Sequence, residues 1–150
     1  MTQDFPKAMK WLSFTSLSLI YTVMLLGVYI TSSHQGLSCP EWPLCPNGLS
    51  LPPPEYLFEH VHRMLVVVAS GFIFATAIYS VKKAKNVRKP AIIAALIVII
   101  QIFIGMFVVD SKLEALLVAS HLATGILLFA MLLMTFIYSY KEEKNSIQTK

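Results

Sequence analysis

Residues 90–109 read PAIIAALIVIIQIFIGMFVV, 20 consecutive positions with no charge and a single amide, Gln101. A helix of roughly 20 residues rises about 30 Å, the thickness of a bilayer's hydrocarbon core. An apolar run this long reads as a transmembrane helix. Working outward, the sequence predicts three more spans at about 114–138, 58–81 and 11–31. The composition agrees: 56% of the 150 residues are hydrophobic and only 13% are charged, too apolar for a soluble domain of this size. The expected fold is all-α, an integral membrane four-helix bundle forming one membrane domain over 1–150. The run at 11–31 is longer than a typical signal-peptide core and no small-residue cleavage site follows it, so it reads as an uncleaved span. Gly36-Leu37-Ser38-Cys39 has its leucine one place too close to the cysteine for a lipoprotein signal, so lipidation is set aside.

The formal charge of +4 does not point to nucleic acid, because the basic residues flank apolar runs and do not lie among exposed aromatics. Lys7 and Lys10 precede the first span, Lys82, Lys83, Lys85, Arg88 and Lys89 lie between the second and third, and Lys141, Lys144 and Lys150 follow the fourth. Only Arg63 and Lys112 fall on the other side. Ten against two places both termini and the tail 139–150 in the cytoplasm, and the loops at 32–57 and 110–113 outside. The expected location is the cell membrane, crossed several times, with the chemically interesting face extracytoplasmic.

That face collects all four histidines and both cysteines. The loop 32–57 holds His34, Cys39, Cys45 and Pro52-Pro53-Pro54, a composition for turns and extended chain. Cys39 and Cys45, separated by five residues among prolines and facing an oxidising compartment, suit a disulfide-closed turn. Such a bridge either fixes local shape or does redox chemistry. Walker, Rossmann, zinc-finger and nucleophile-elbow patterns are missing from the sequence.

His62 lies about five residues inside the outer end of the second span and His121 about seven inside that of the fourth, so both sit roughly 7–10 Å below the surface. Gly27 and Gly105 fall at a similar depth on the first and third spans. Ionisable side chains at membrane depth usually face the bundle interior and mark function. Two neutral histidines with glycine-made space between them match axial ligation of a haem iron. Thr124 and Gly125, one turn beyond His121, are expected to add room for the macrocycle. The plainer alternative is that each histidine hydrogen-bonds a neighbouring helix and the glycines allow close packing. Zinc held by Glu59, His60, His62 and His121 is a further alternative, although no H-x3-H or H-E-x-x-H spacing occurs.

Glu59, His62 and Arg63 lie within one turn and a half. Glu59 and Arg63, four apart, form a potential ion pair that would contribute little at a surface. Arg63 would otherwise hold a porphyrin propionate, and Glu59 would move a proton or steady positive charge at the ring edge. His60 points away from His62, and Glu55 lies two turns earlier; both rank behind these.

Four ordered motifs now resemble a known family: Gly36-x2-Cys39-Pro40-x-Trp42-Pro43-x-Cys45, then Glu59-x2-His62-Arg63, then Gln101-x3-Gly105, then His121-Leu122-Ala123-Thr124-Gly125. The family is the haem A synthases of cytochrome oxidase assembly, and the likeness covers about residues 27–128. It implies a haem-dependent oxidoreductase converting haem O to haem A by oxidising a methyl to a formyl group at the outer face. It also implies haem (haem b, haem O or both) as cofactor, His62 and His121 as axial ligands, Glu59 as the catalytic residue, and Cys39 with Cys45 as a disulfide. Familiar members have eight helices in two related halves, each with a histidine pair, whereas one half is present here. The resemblance therefore implies a homodimer, with haem O synthase or other cytochrome oxidase assembly proteins as further partners, besides haem O and membrane lipid. Two other classes stay open: a non-catalytic haem-binding protein or electron-transfer cytochrome b, and a thiol–quinone oxidoreductase, which would normally need a closer cysteine pair and a second one.

Overall fold

The computed structural model describes residues 4–39, 42–46, 48–83 and 85–148. Four α-helices follow one another, α1 (Asp4–Ser32), α2 (Leu57–Lys83), α3 (Lys85–Asp110) and α4 (Ala115–Gln148), with a single 3-10 turn at Pro54–Tyr56 leading into α2. Among the described residues there is no strand. All four helices are long and apolar enough to cross a membrane.

The helices outrun the apolar windows. α1 begins at Asp4, not near 11, and α4 continues to Gln148, so most of the expected tail is helical. The reason lies in polar contacts between these two ends. Lys10 Nζ meets Glu143 Oε2 at 2.7 Å, and the hydroxyls of Ser13 and Ser139 share a 2.7 Å hydrogen bond. A span defined by hydropathy stops short of Lys10, Ser139 and Glu143. α3 starts at Lys85, with Pro90 inside it; six residues in, the proline forfeits only the bond to the Asn86 carbonyl.

Neighbours in sequence pack side by side and α4 closes against α1, while among the described residues no Cα atoms of the diagonal pairs α1/α3 and α2/α4 come within 8 Å of each other. The result is an up-and-down ring. Its inner seam follows alternating steps of three and four residues, the spacing of left-handed bundle packing. On α1 the seam is Met9, Ser13, Ser16, Ile20, Val23, Gly27 and Ile30; on α4 it is His121, Gly125, Leu128, Leu132, Thr135 and Ser139. α2 carries Glu59, His62, Val66, Ala69, Ile73, Thr76 and Ser80 in the same rhythm, and α3 carries Val87, Ala91, Ala94, Val98, Gln101 and Gly105.

Stacking these positions produces layers. Near the chain ends the seam is small and hydroxylated, with Ser16 bonded to Thr76 at 3.1 Å as well as Ser13 to Ser139. In lipid, where hydrocarbon on hydrocarbon offers little drive, small residues and interhelical hydrogen bonds hold helices together. The middle is aliphatic: Ile20, Val23, Ala69, Ile73, Ala94, Val98, Leu128 and Leu132 are all buried. Large apolar side chains such as Tyr21, Leu25, Val67, Ile78, Leu96 and Phe103 point outward, the arrangement lipid demands.

The other end is capped. His34 ends α1 in the left-handed region at φ 58°, where the chain turns. Leu113, at φ 66° in the α3–α4 turn, packs on Gly36, where a side-chain carbon would lie 3.3 Å from its methyls. The two loops thereby meet above the bundle. Glu114 starts α4 by accepting the Leu117 N–H at 2.9 Å, an N-terminal cap.

Candidate functional site

The cap is fastened to α2 through Glu59. Its Oε2 accepts the Ser38 hydroxyl at 2.9 Å and the Cys39 backbone N–H at 2.9 Å, while its Oε1 receives the Arg63 guanidinium. Arg63 also donates to the Pro43 carbonyl at 3.3 Å. Cys39 and Cys45 are joined by a disulfide with Cα atoms 4.9 Å apart. Glu59 thus grips the loop before the bridge and Arg63 grips it within the bridge.

This corrects the expectation of a weak surface pair. The Glu59 and Arg63 side chains are only 5% and 10% exposed, because the cap folds over them. Both cysteines are buried, at 1% and 3% exposure, an environment that hinders thiol exchange. Both oxygens of Glu59 and at least two guanidinium nitrogens of Arg63 are engaged with protein.

One turn below lie the histidines. A side-chain carbon on Gly27 would come 3.1 Å from His62 Cε1, and one on Gly105 would come 3.2 Å from His121 Cε1. Each glycine therefore admits one imidazole from the next helix. α1 does for α2 what α3 does for α4, so the layer has an internal two-fold character. The imidazoles sit on the diagonal helices α2 and α4. Nδ1 of both is buried without a hydrogen-bond partner. An unsatisfied buried nitrogen costs about 1–3 kcal/mol, so two in one layer are available to an iron atom, a donor or an acceptor supplied from elsewhere.

The layer is also less closed than the seam beneath it. Gly27, His62, Gly105 and His121 all keep partial exposure, whereas the aliphatic layer is buried. Two neutral imidazoles facing across a ring, each seated on a glycine, fit axial ligation of a haem iron. Among the described residues no three His, Cys, Asp or Glu side chains converge on a metal-binding group, so Glu59, His60, His62 and His121 do not form a zinc site.

Thr124 and Gly125 do something other than make room for a macrocycle. Gln101 Nε2 donates to the His121 carbonyl at 3.0 Å, and Thr124 Oγ1 donates to Gln101 Oε1 at 2.6 Å. A side-chain carbon on Gly125 would lie 2.9 Å from Gln101 Nε2. Gly125 makes room for the Gln101 amide, which ties α3 to α4 at the backbone of His121. The seam spacing, which places Gln101 and Gly125 inside, is the sequence signal for this contact.

His60 is not turned out of the structure. It is 4% exposed and its Nδ1 is buried without a partner. Position in the first turn of α2 places it inside, whichever way it faces relative to His62. His34 and Glu55 are exposed, in the cap and the 3-10 turn.

The family described as COX15-CtaA, cytochrome oxidase assembly protein, matches residues 10–150. Among curated relatives, a haem A synthase of Lysinibacillus sphaericus is 32% identical over 84% of this chain and 43% of its own length. One of Listeria monocytogenes is 31% identical over 92% of this chain and 48% of its own. Another, of Bacillus licheniformis, is 27% identical over 95% and 49%. The chain spans about half the length of the curated relatives it matches.

Proposed function

The chain belongs to the COX15-CtaA family of cytochrome oxidase assembly proteins, and from that premise we propose that it acts in haem A formation, oxidising a methyl group of haem O to the formyl group of haem A. The observation that carries the reading is the paired layer, His62 on Gly27 and His121 on Gly105, each imidazole with an unpartnered buried nitrogen. Written with water as the oxygen source, converting CH3 to CHO takes up one water and releases four protons and four electrons, which an electron acceptor outside this chain must take. A haem held by His62 and His121 would supply a redox-active iron, and Gly27 and Gly105 set how far each imidazole reaches inward.

Glu59 is the carboxylate nearest this layer on α2, one turn above His62, and its proposed role is to take protons released there. Its route would run through the Ser38 hydroxyl it already holds, with the Arg63 guanidinium steadying the carboxylate charge. Arg63 is proposed to exchange the Pro43 carbonyl for a propionate. The reading includes termini in the cytoplasm, the cap outside, and a homodimer that brings two histidine pairs into one assembly. Haem O synthase is the natural neighbour, since its product is this substrate.

The test is coexpression with a haem O source, followed by extraction and identification of the haems. Haem A should appear, and Glu59→Ala should suppress it. Haem O alone would overturn the catalytic reading. A second reading, a haem-binding protein without this catalysis, is favoured by one observation: both oxygens of Glu59 are engaged in holding the cap. Haem A formation undiminished by Glu59→Ala would decide against a catalytic Glu59. Thiol–quinone exchange is disfavoured by burial of both cysteines.

A further inference from the structure

A second feature lies at the opposite end of the bundle, remote from the histidines. Between the start of α3 and the end of α4 is an open groove of about 640 Å³. Lys85, Lys89 and Lys141 stand at its rim, and Ile93, Met131 and Met134 line its lower part. Glu142 is the one acidic residue on its wall, so the groove carries an excess of two positive charges. All three lysines are exposed, and among the described residues none is in a salt bridge. Lys10, at the same end, is by contrast neutralised by Glu143.

The order of chemistry along the groove is set by the antiparallel helices. Ile93 lies eight residues from Lys85 along α3, and Met134 and Met131 lie seven and ten residues before Lys141 along α4. Lys89 lies four residues from Ile93, so at about 1.5 Å per residue the apolar floor lies roughly 6–15 Å deeper than the lysine backbone positions. Tyr138, between the two zones, matches the aromatic level of a membrane interface. Charge above, acyl-sized apolar surface below and an opening to the side are the features of a basic interhelical pocket for an anionic lipid.

We propose that this α3–α4 groove binds an anionic phospholipid, its head-group phosphate held by Lys85, Lys89 and Lys141 and one acyl chain lying over Ile93, Met131 and Met134. The attraction is charge complementarity in a site that also excludes water from the chain. A zwitterionic lipid would gain the apolar contact without the net charge. With Glu142 offsetting one of the three lysines, the net two positive charges give a preference for an anionic lipid on the order of thirtyfold, weakening as salt screens it.

The experiment is native mass spectrometry of the full chain in uncharged detergent, titrated with dioleoyl phosphatidylglycerol or dioleoyl phosphatidylcholine. The phosphatidylglycerol should bind at about a thirtyfold lower concentration, and K85Q/K89Q/K141Q should remove that preference. K82Q/R88Q/K144Q, an equal charge change at the same end outside the groove, should retain it. I93W/M131W, which fills the floor, should weaken retention of both lipids while leaving the helical circular dichroism unchanged. Equal binding of the two lipids would overturn the proposal, as would an equal loss in the control triple variant. So would displacement of the lipid by millimolar inorganic phosphate, or a lipid-excluding dimer of this chain formed through the groove.

Discussion

Glu59→Gln tests what holds the cap. The substitution keeps the shape and one carbonyl oxygen, but it leaves the Arg63 guanidinium, whose side chain is 10% exposed, without its opposite charge. It also weakens the bonds from Ser38 and Cys39, both received by Oε2. Removing one partner of a fully buried pair costs about 3–5 kcal/mol. Arg63 still has the Pro43 carbonyl and a little solvent, so about 2–3 kcal/mol is a suitable discount. If that energy holds the cap shut over a disulfide whose cysteines are only 1% and 3% exposed, opening becomes roughly 30- to 150-fold more frequent, at 1.4 kcal/mol per factor of ten. The assay is reduction of Cys39–Cys45 by dithiothreitol, followed by maleimide labelling. Glu59→Gln and Arg63→Gln should each accelerate it by tens of fold, and the double variant by less than the product of the two. A rate within twofold of the unaltered protein would refute the latch.

Other consequences follow from the same contacts. Gly27→Val and Gly105→Val should each displace one imidazole, since even the first added carbon would stand 3.1 or 3.2 Å from the ring; both should lower haem retention to a similar extent in the purified protein. Gln101→Leu removes the amide bonds to the His121 carbonyl and Thr124, and at about 0.6 kcal/mol per interhelical bond in membranes should cost about 1 kcal/mol by reversible detergent unfolding. Ser13→Ala, which removes one small hydroxyl contact far from the histidines, should cost about 0.6 kcal/mol and leave any haem spectrum unchanged.

Hydropathy was enough to find four helices, because lipid imposes a length and an apolar surface that the runs at 11–31, 58–81, 90–109 and 114–138 satisfy. It could not find their ends, since Lys10 with Glu143 and Ser13 with Ser139 extend α1 and α4 by polar contacts that hydropathy counts as interruptions. Helix arithmetic put His62 and His121 at one depth with Gly27 and Gly105. Which glycine faces which histidine needed the neighbour order of the ring, as did the discovery that Gly125 serves Gln101. Glu59 and Arg63 were legible as a pair from their spacing, but their burial depends on a loop of irregular backbone 20 residues away, which no periodicity describes. The burial of His60 was not legible for the same reason: a period measured from His62 describes one side of a helix, not what covers its first turn.

The central claim is that His62 and His121 form an axial ligand pair. A pyridine haemochrome spectrum, recorded with the absolute absorption spectrum of protein purified from haem-replete cells, tests it most directly when paired with His62→Ala and His121→Ala. The account predicts low-spin haem in the unaltered protein and loss of that signal in each variant, with the helical circular dichroism intact. A colourless protein that takes up no haem on titration, or a low-spin spectrum that survives either substitution, would contradict it.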